Sequence, residues 1–214
     1  MRVVALTTSV FPTALHADPH RDASSEADEP ELAVGSLFPQ HPIIVALSRI
    51  DEACFGPAQR TDIANQLTQP FTKAWAACVE LITDPADHGL LTPSIMTPPG
   101  QRLCWIGFVV TWHVADELHV INVATHPSFR RRGVGAALID EVIAYARQRD
   151  VRLVLLEVRR GNSAAIGLYR RYGFEQTGVR ERYYSDNDED ALEMMLTLGA
   201  DPGSVVRRDG FGND

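Results

Sequence analysis

Several groups of residues in this 214-residue chain have the types and spacing to do chemistry. The first is Arg130-Arg131-Arg132-Gly133-Val134-Gly135-Ala136. Glycine lets a backbone approach a ligand with no Cβ in the way. A helix start offers unpaired N–H groups and the positive end of the helix dipole. With three arginines, such a turn can cradle a pyrophosphate; the alternative is a basic helix start that only decorates the surface. It is neither GxxxxGK[ST] nor GxGxxG, so a P-loop kinase and a dinucleotide fold are not supported. The second group is Glu157, inside the apolar run 151–158. A carboxylate rarely sits in a buried strand unless it is paired or functional. Desolvation there would raise its pKa and suit a general base, whereas the plain alternative is an ion pair with a neighbour such as Arg159. The third is Asn162, Tyr169 and the pair Tyr183-Tyr184. Asn162 can simply cap a helix, and Tyr169 is either a half-buried aromatic or a hydroxyl aimed into a site.

The elements that must position these groups follow from periodicity. Residues 2–10 are apolar and β-branched enough for a first strand. Ile43, Ile44, Leu47, Ile50 and Cys54 recur at helical steps, and residues 61–67 and 71–82 are read as further helices. Residues 103–114 and 118–124 read as strands joined by a turn at Ala115-Asp116-Glu117. A helix over 132–149 buries Val134, Leu138, Ile139, Val142, Ile143 and Ala146. Residues 151–158 read as a strand buried on both faces. A helix over 163–172 ends at Gly173, the usual left-handed stop, and strands follow over 174–184 and 191–198. The second half is therefore β-β-α-β-α-β-β, an α/β (α+β) sheet with helices packed on it. Residues 1–13 are a possible first strand and 14–42 a flexible acidic, Pro-rich insertion. Residues 43–199 form the domain, and 200–214 a loose tail.

Composition narrows the classes. Apolar residues are 45% and charged residues 22%, which is globular. The net charge of −8 argues against a general nucleic-acid or membrane-surface binder. No run is long and apolar enough to span a bilayer, and Thr7-Thr8-Ser9 and Pro12 interrupt any signal-peptide core. Cys54, Cys78 and Cys104 form no CxxC, and His16 and His20 have no paired cysteine or helical register. No metal site and no disulfide scaffold is expected, and the setting is read as reducing and cytoplasmic. Cys104 is read as core.

Arg130-x-x-Gly133-x-Gly135 resembles the acyl-CoA signature of the GNAT acetyltransferase superfamily, Q/R-x-x-G-x-G/A. The run 156–174, with Glu157-Val158-Arg159, Asn162, Ala165-Ile166, Leu168-Tyr169 and Gly173-Phe174, resembles its protein N-terminal acetyltransferases of RimI type. Arg182-Tyr183-Tyr184 and Glu189-Asp190-Ala191 look like that branch's closing segment. The resemblance covers 103–198 well and 43–67 weakly; it leaves out 14–42, the prolines near Pro93 and the tail. It implies a GNAT fold, a mixed, mostly antiparallel sheet with acetyl-CoA between the fourth and fifth strands. Val123, Ala124 and Thr125 would lie on the fourth strand, Val123 and Thr125 meeting acetyl-CoA through main chain. Arg130, Arg131, Arg132, Gly133, Val134, Gly135 and Ala136 would hold the pyrophosphate, and Asn162 would touch the cofactor.

By the same resemblance Glu157 is the general base and Tyr169 the general acid, with no protein nucleophile and no metal. An α-amine has a pKa near about 7.7–8.0, so little deprotonation work is needed. A main-chain N–H on the fourth strand would stabilise the oxyanion. Tyr183, Tyr184 and His119 are candidate acceptor contacts, although an outward strand histidine explains His119 as well. The run 186–190 is either a solvated turn or an attractor for an ammonium. The acceptor is expected to be a protein N-terminus, possibly a ribosomal protein, with no direct nucleic acid or membrane partner. The chain is expected to be a monomer or weak homodimer. A GNAT enzyme acting on a small amine or lysine, and a non-catalytic acetyl-CoA-binding protein, are the alternatives.

Overall fold

Helix α1 (Pro42–Cys54) forms where Ile43, Ile44, Leu47 and Ile50 make one apolar stripe. Pro42 sits in its first turn, where a missing N–H is tolerated. Helix α2 (Ile63–Thr68) is capped by Asp62, whose Oδ1 accepts from Asn65 N at 3.0 Å. The computed structural model describes residues 1–7, 32–33, 41–81, 94–97 and 101–199. Its strands are β1 (Arg2–Thr7), β2 (Leu32–Ala33), β3 (Thr72–Leu81), β4 (Ser94–Thr97), β5 (Gln101–Val114) and β6 (Glu117–Thr125). Helix α3 (Val134–Gln148), β7 (Leu153–Arg159), α4 (Ser163–Arg171), β8 (Glu175–Tyr184) and β9 (Glu189–Thr197) complete the chain.

Among the described residues the strands form one sheet in the order β2-β1-β3-β5-β6-β7-β9-β8, with β4 added onto β5. Only β1–β2 and β6–β7 pair parallel. One face packs under α1 and α2, where Ile43, Leu47, Ile50 and Ile63 meet Ala76, Trp105 and Phe108. The other packs under α3 and α4, where Leu138, Ile139, Val142 and Ile166 meet Ile106, Val109, Leu118 and Val154. This is the expected mixed, mostly antiparallel sheet flanked by helices.

Two expectations are corrected. Residues 72–81 are a strand, not a helix. Trp75 and Ala77 join the α3-side core, while Ala74, Ala76 and Cys78 join the α1-side core. Both faces are covered, so no polar residue marks the alternation. Conversely, β7 is buried on one face only. Val154, Leu156 and Val158 pack beneath α3 and α4, whereas Leu155, Glu157 and Arg159 face a cleft. The proposed insertion 14–42 lies outside the described residues except at Leu32, Ala33, His41 and Pro42; the prolines near Pro93 and the tail 200–214 also lie outside. The first strand is described to Thr7.

A fork in the sheet positions everything that follows. The β6–β7 ladder runs from Glu117↔Leu153 to Val120↔Leu156 and stops. At that point β6 carries a bulge. Thr111 pairs with Val120 and Val110 with Asn122, leaving Ile121 extra. Before the bulge Leu118 and Val120 face α3; after it Ala124 faces α1.

Candidate active site

Past the fork the two strands bound a cleft of about 980 Å³. From β6 it is lined by residues 119–123, from β7 by Leu155 to Arg159, and from the α1–α2 connection by Phe55, Ala58, Gln59 and Thr61. Asn162 and Tyr169 of the α4 region, and Arg180, Tyr183, Tyr184 and Glu193 of the last hairpin, close it. A second cavity of about 620 Å³, at the C-terminal ends of α3 and α4, shares no residue with it.

The structure thus brings His119, Val123, Glu157, Asn162, Tyr169, Tyr183 and Tyr184 to one cavity. Ala124, Thr125 and residues 130–136 lie outside its wall, where β6 leads into α3. There Arg131 and Gly133 take left-handed φ of 63° and 83°. Gly133 is the N-cap of α3 and offers no side-chain acceptor, and a Cβ built on it meets nothing within 4 Å. No side chain therefore caps the first-turn N–H groups of α3. A Cβ on Gly135, by contrast, would press on Leu168 Cδ2 at 3.3 Å, so that glycine serves the packing of α3 against α4.

Glu157 is not a buried strand carboxylate. Its side chain is 32% exposed, and its partner is Arg180 of β8 rather than Arg159. Tyr183 lies beside it, and the Glu157 carboxylate holds that phenol above its usual pKa. Arg159 is held elsewhere. Its guanidinium pairs with Asp186 at 2.7 Å and Glu189 at 2.8 Å, and stacks 3.9 Å over the Tyr184 ring. Arg160 pairs with Asp190 at 2.7 Å, and Glu189 Oε1 accepts from Gly161 N at 2.7 Å. The acidic run is neither a free solvated turn nor a free attractor. It clasps the end of β7 and fixes the Gly161-Asn162 turn. Arg159 and the Gly161 N–H hold Glu189 below its usual pKa, as the Arg182 N–H and Arg160 do for Asp190.

Asn162 caps α4, its Oδ1 accepting from Ala165 N at 3.2 Å, while it lines the cleft. Tyr169 is 7% exposed, and burial pushes its phenol far up, so it stays protonated. Burial lifts Tyr184 to about 12. In β8, Arg180 pairs with Ala191 and Tyr184 with Glu189, so the intervening bulge, with Arg182 at φ 52°, turns Arg180, Tyr183 and Tyr184 all inward. His119 Nε2 lies 2.9 Å from Glu117 Oε2 on the same strand.

Sequence reasoning missed a buried polar junction at the fork. Asn122 Nδ2 donates to Asp51 Oδ1 at 3.0 Å and to Thr61 Oγ1 at 2.6 Å; Thr61 N donates to Asp51 Oδ2 at 2.9 Å. Burial raises the Asp51 pKa, opposed by those donors. The signals were present: Asn122 is an amide in an apolar strand, and Asp51 follows Leu47 by four on the buried stripe of α1. Cys54, at the end of α1, donates its S–H to Thr125 O at 3.2 Å. Burial raises its pKa, so it lacks thiolate character.

An uncapped helix start, a strand edge left without a partner, and a carboxylate and protonated phenol in one cleft suit a group transferase that draws on a phosphate-bearing donor. The sequence profile of the Acetyltransferase (GNAT) family matches residues 60–174, and the chain belongs to that family. A Bacillus subtilis protein, provisionally named a ribosomal protein bS18-alanine N-acetyltransferase, is 33% identical over 63% of this chain and 84% of its own. The Escherichia coli K12 ribosomal protein bS18-alanine N-acetyltransferase is 40% identical over 42% of this chain and 63% of its own length. The crystal structure of the Escherichia coli ribosomal-protein-S18-alanine N-acetyltransferase superposes with a TM-score of 0.57. It has 25% identity and covers 76% of this chain and 93% of that one.

The residues present fit the family's co-substrate, acetyl-CoA. The β6 edge past Val120 has lost its β7 partner and is free for an extended pantetheine arm, and the start of α3 has no side-chain cap, which leaves its N–H groups for phosphates. Among the described residues no cluster of His, Cys, Asp and Glu could hold a metal. No described helix is long and apolar enough to cross a membrane.

Proposed function

We propose that this protein acetylates the N-terminal α-amine of a protein, by direct attack in a ternary complex with acetyl-CoA. The observation that carries this reading is the convergence of Glu157, Tyr169, Tyr183 and Tyr184 on one cleft at the fork. When bound, acetyl-CoA supplies an activated thioester acetyl group. The first turn of α3, with Arg130 to Arg132 beside it, holds the phosphates. Residues 123–125 hold the arm through main chain, and a β6 N–H faces the developing oxyanion. Glu157 takes the proton of the acceptor's amine, directly or through one water. Tyr169, protonated in its buried position, gives a proton to the departing thiolate. Tyr183 and Tyr184 wall the acceptor's first residues. The names of the relatives support an acceptor of ribosomal type beginning with alanine. Cys54, Cys78 and Cys104 form no disulfide among the described residues, which supports a reducing cytoplasmic setting.

The test is thiol release from acetyl-CoA against peptides with free Ala, Ser or Met starts, N-blocked lysine peptides and small polyamines. Turnover confined to free N-termini supports the proposal; turnover confined to lysine or polyamines overturns it. Glu157→Gln should abolish turnover while acetyl-CoA still binds, and surviving turnover would remove Glu157 as the base.

A further inference from the structure

Glu157 and Glu193 are directly opposed on β7 and β9. Like charges in that position repel. Arg180 resolves the repulsion by bridging them, one guanidinium nitrogen on Glu157 and Nε 3.0 Å from Glu193 Oε1. The bridge is exposed, with the Arg180 side chain at 49%, so water can take over its contacts cheaply. Gly178 makes the arrangement possible: a Cβ there would lie 2.1 Å from Glu193 Oε2. Glu193 therefore sits flat on β8 beneath Arg180. In this arrangement the carboxylate proposed as base is already occupied by a cation. An α-amine with a pKa near about 7.7–8.0 arrives largely as an ammonium, a cation of the same charge.

Building on the proposed role of Glu157, we propose that Arg180 is a resident counter-ion that the acceptor's ammonium displaces. Glu193 is then the positioning residue that keeps Arg180 when it leaves Glu157. Glu193 acts through Arg180 and does not touch the acceptor. With Glu193 removed, Arg180 has Glu157 as its sole carboxylate partner and competes harder with the acceptor. The defect then falls on the acceptor's KM.

The experiment is a double-mutant cycle of Glu193→Gln and Arg180→Met, read as kcat and KM. It is run with a free-N-terminus Ala peptide and separately with a small primary amine. Glu193→Gln should raise the acceptor KM about two- to fivefold, the size of one exposed ion pair, and leave the acetyl-CoA KM in place. In the Arg180→Met background the same substitution should have no effect. Gly178→Ala, which keeps every charge but evicts the Glu193 carboxylate, should reproduce the KM rise. An equal rise with and without Arg180 overturns the proposal, because Glu193 would then meet the acceptor itself. So does a loss confined to kcat or to the acetyl-CoA KM. If only the small amine is turned over, the protein-acceptor reading fails, and the cycle is still decided on that amine.

Discussion

Asn122→Val removes one of the two hydrogen-bond donors that reach a carboxylate only 2% exposed. Asp51 keeps the Thr61 N–H, and Thr61 Oγ1 loses its amide donor as well. Leaving a buried charge short of a donor costs about 1–3 kcal/mol, and more when the group has no other partner. We expect about 2–3 kcal/mol, a large share of the roughly 5–15 kcal/mol that holds a domain folded. Removing the charge too, in Asp51→Ala/Asn122→Val, should recover part of that loss, with a coupling of about 1–2 kcal/mol. The pH dependence has a definite sign. The folded pKa of Asp51 is raised, so its ionised form costs stability above that pKa and costs none once pH falls below the unfolded value. The Asn122→Val deficit should therefore be largest at neutral pH and shrink toward pH about 4. The assay is urea unfolding followed by fluorescence of the buried Trp75 and Trp105, with the slope checked for constancy. A deficit below about 0.5 kcal/mol, strict additivity in the double variant, or a deficit that grows in acid would refute the reasoning.

Tyr169→Phe deletes one oxygen from a packed ring, so the urea midpoint should barely move. If the phenol protonates the leaving thiolate, kcat should fall about 10²- to 10⁴-fold, and a loss under tenfold removes it as the acid. The clasp on β7 behaves oppositely to Asp51. The Glu189 pKa is depressed, so its contribution is present above the ordinary carboxylate range and is lost as pH falls through its folded value. The stability margin of the parent over Glu189→Gln, measured by urea unfolding at pH 7 and pH 3, should be positive at the first and smaller at the second.

Local signals carried the reading a long way. The turn at Ala115, the left-handed stop at Gly173 and the Asn162 cap need only neighbouring residues, and each sits where expected. The anion-receptive turn before α3 is local too. What failed needed tertiary information. Strand β3 is covered on both faces, so its alternation has no polar phase, and its alanines favour a helix until the sheet overrides them. The partner of Glu157 lies 23 residues away on β8, brought there by a bulge that no propensity announces. Asp51 and Asn122 are 71 residues apart, and neither position looks paired until α1 is laid on β6.

The fork also has a mechanical meaning. The panel β1–β6 and the panel β7–β9 are sewn together by four residue pairs of β6 and β7 and spanned by α3. Such a seam is a short joint between two larger panels. A donor molecule lodged in the gap acts as a rivet across both panels. At a hundred times its dissociation constant it adds about 2.7 kcal/mol to the folded state. Resistance to proteolysis should then rise with the concentration of the donor.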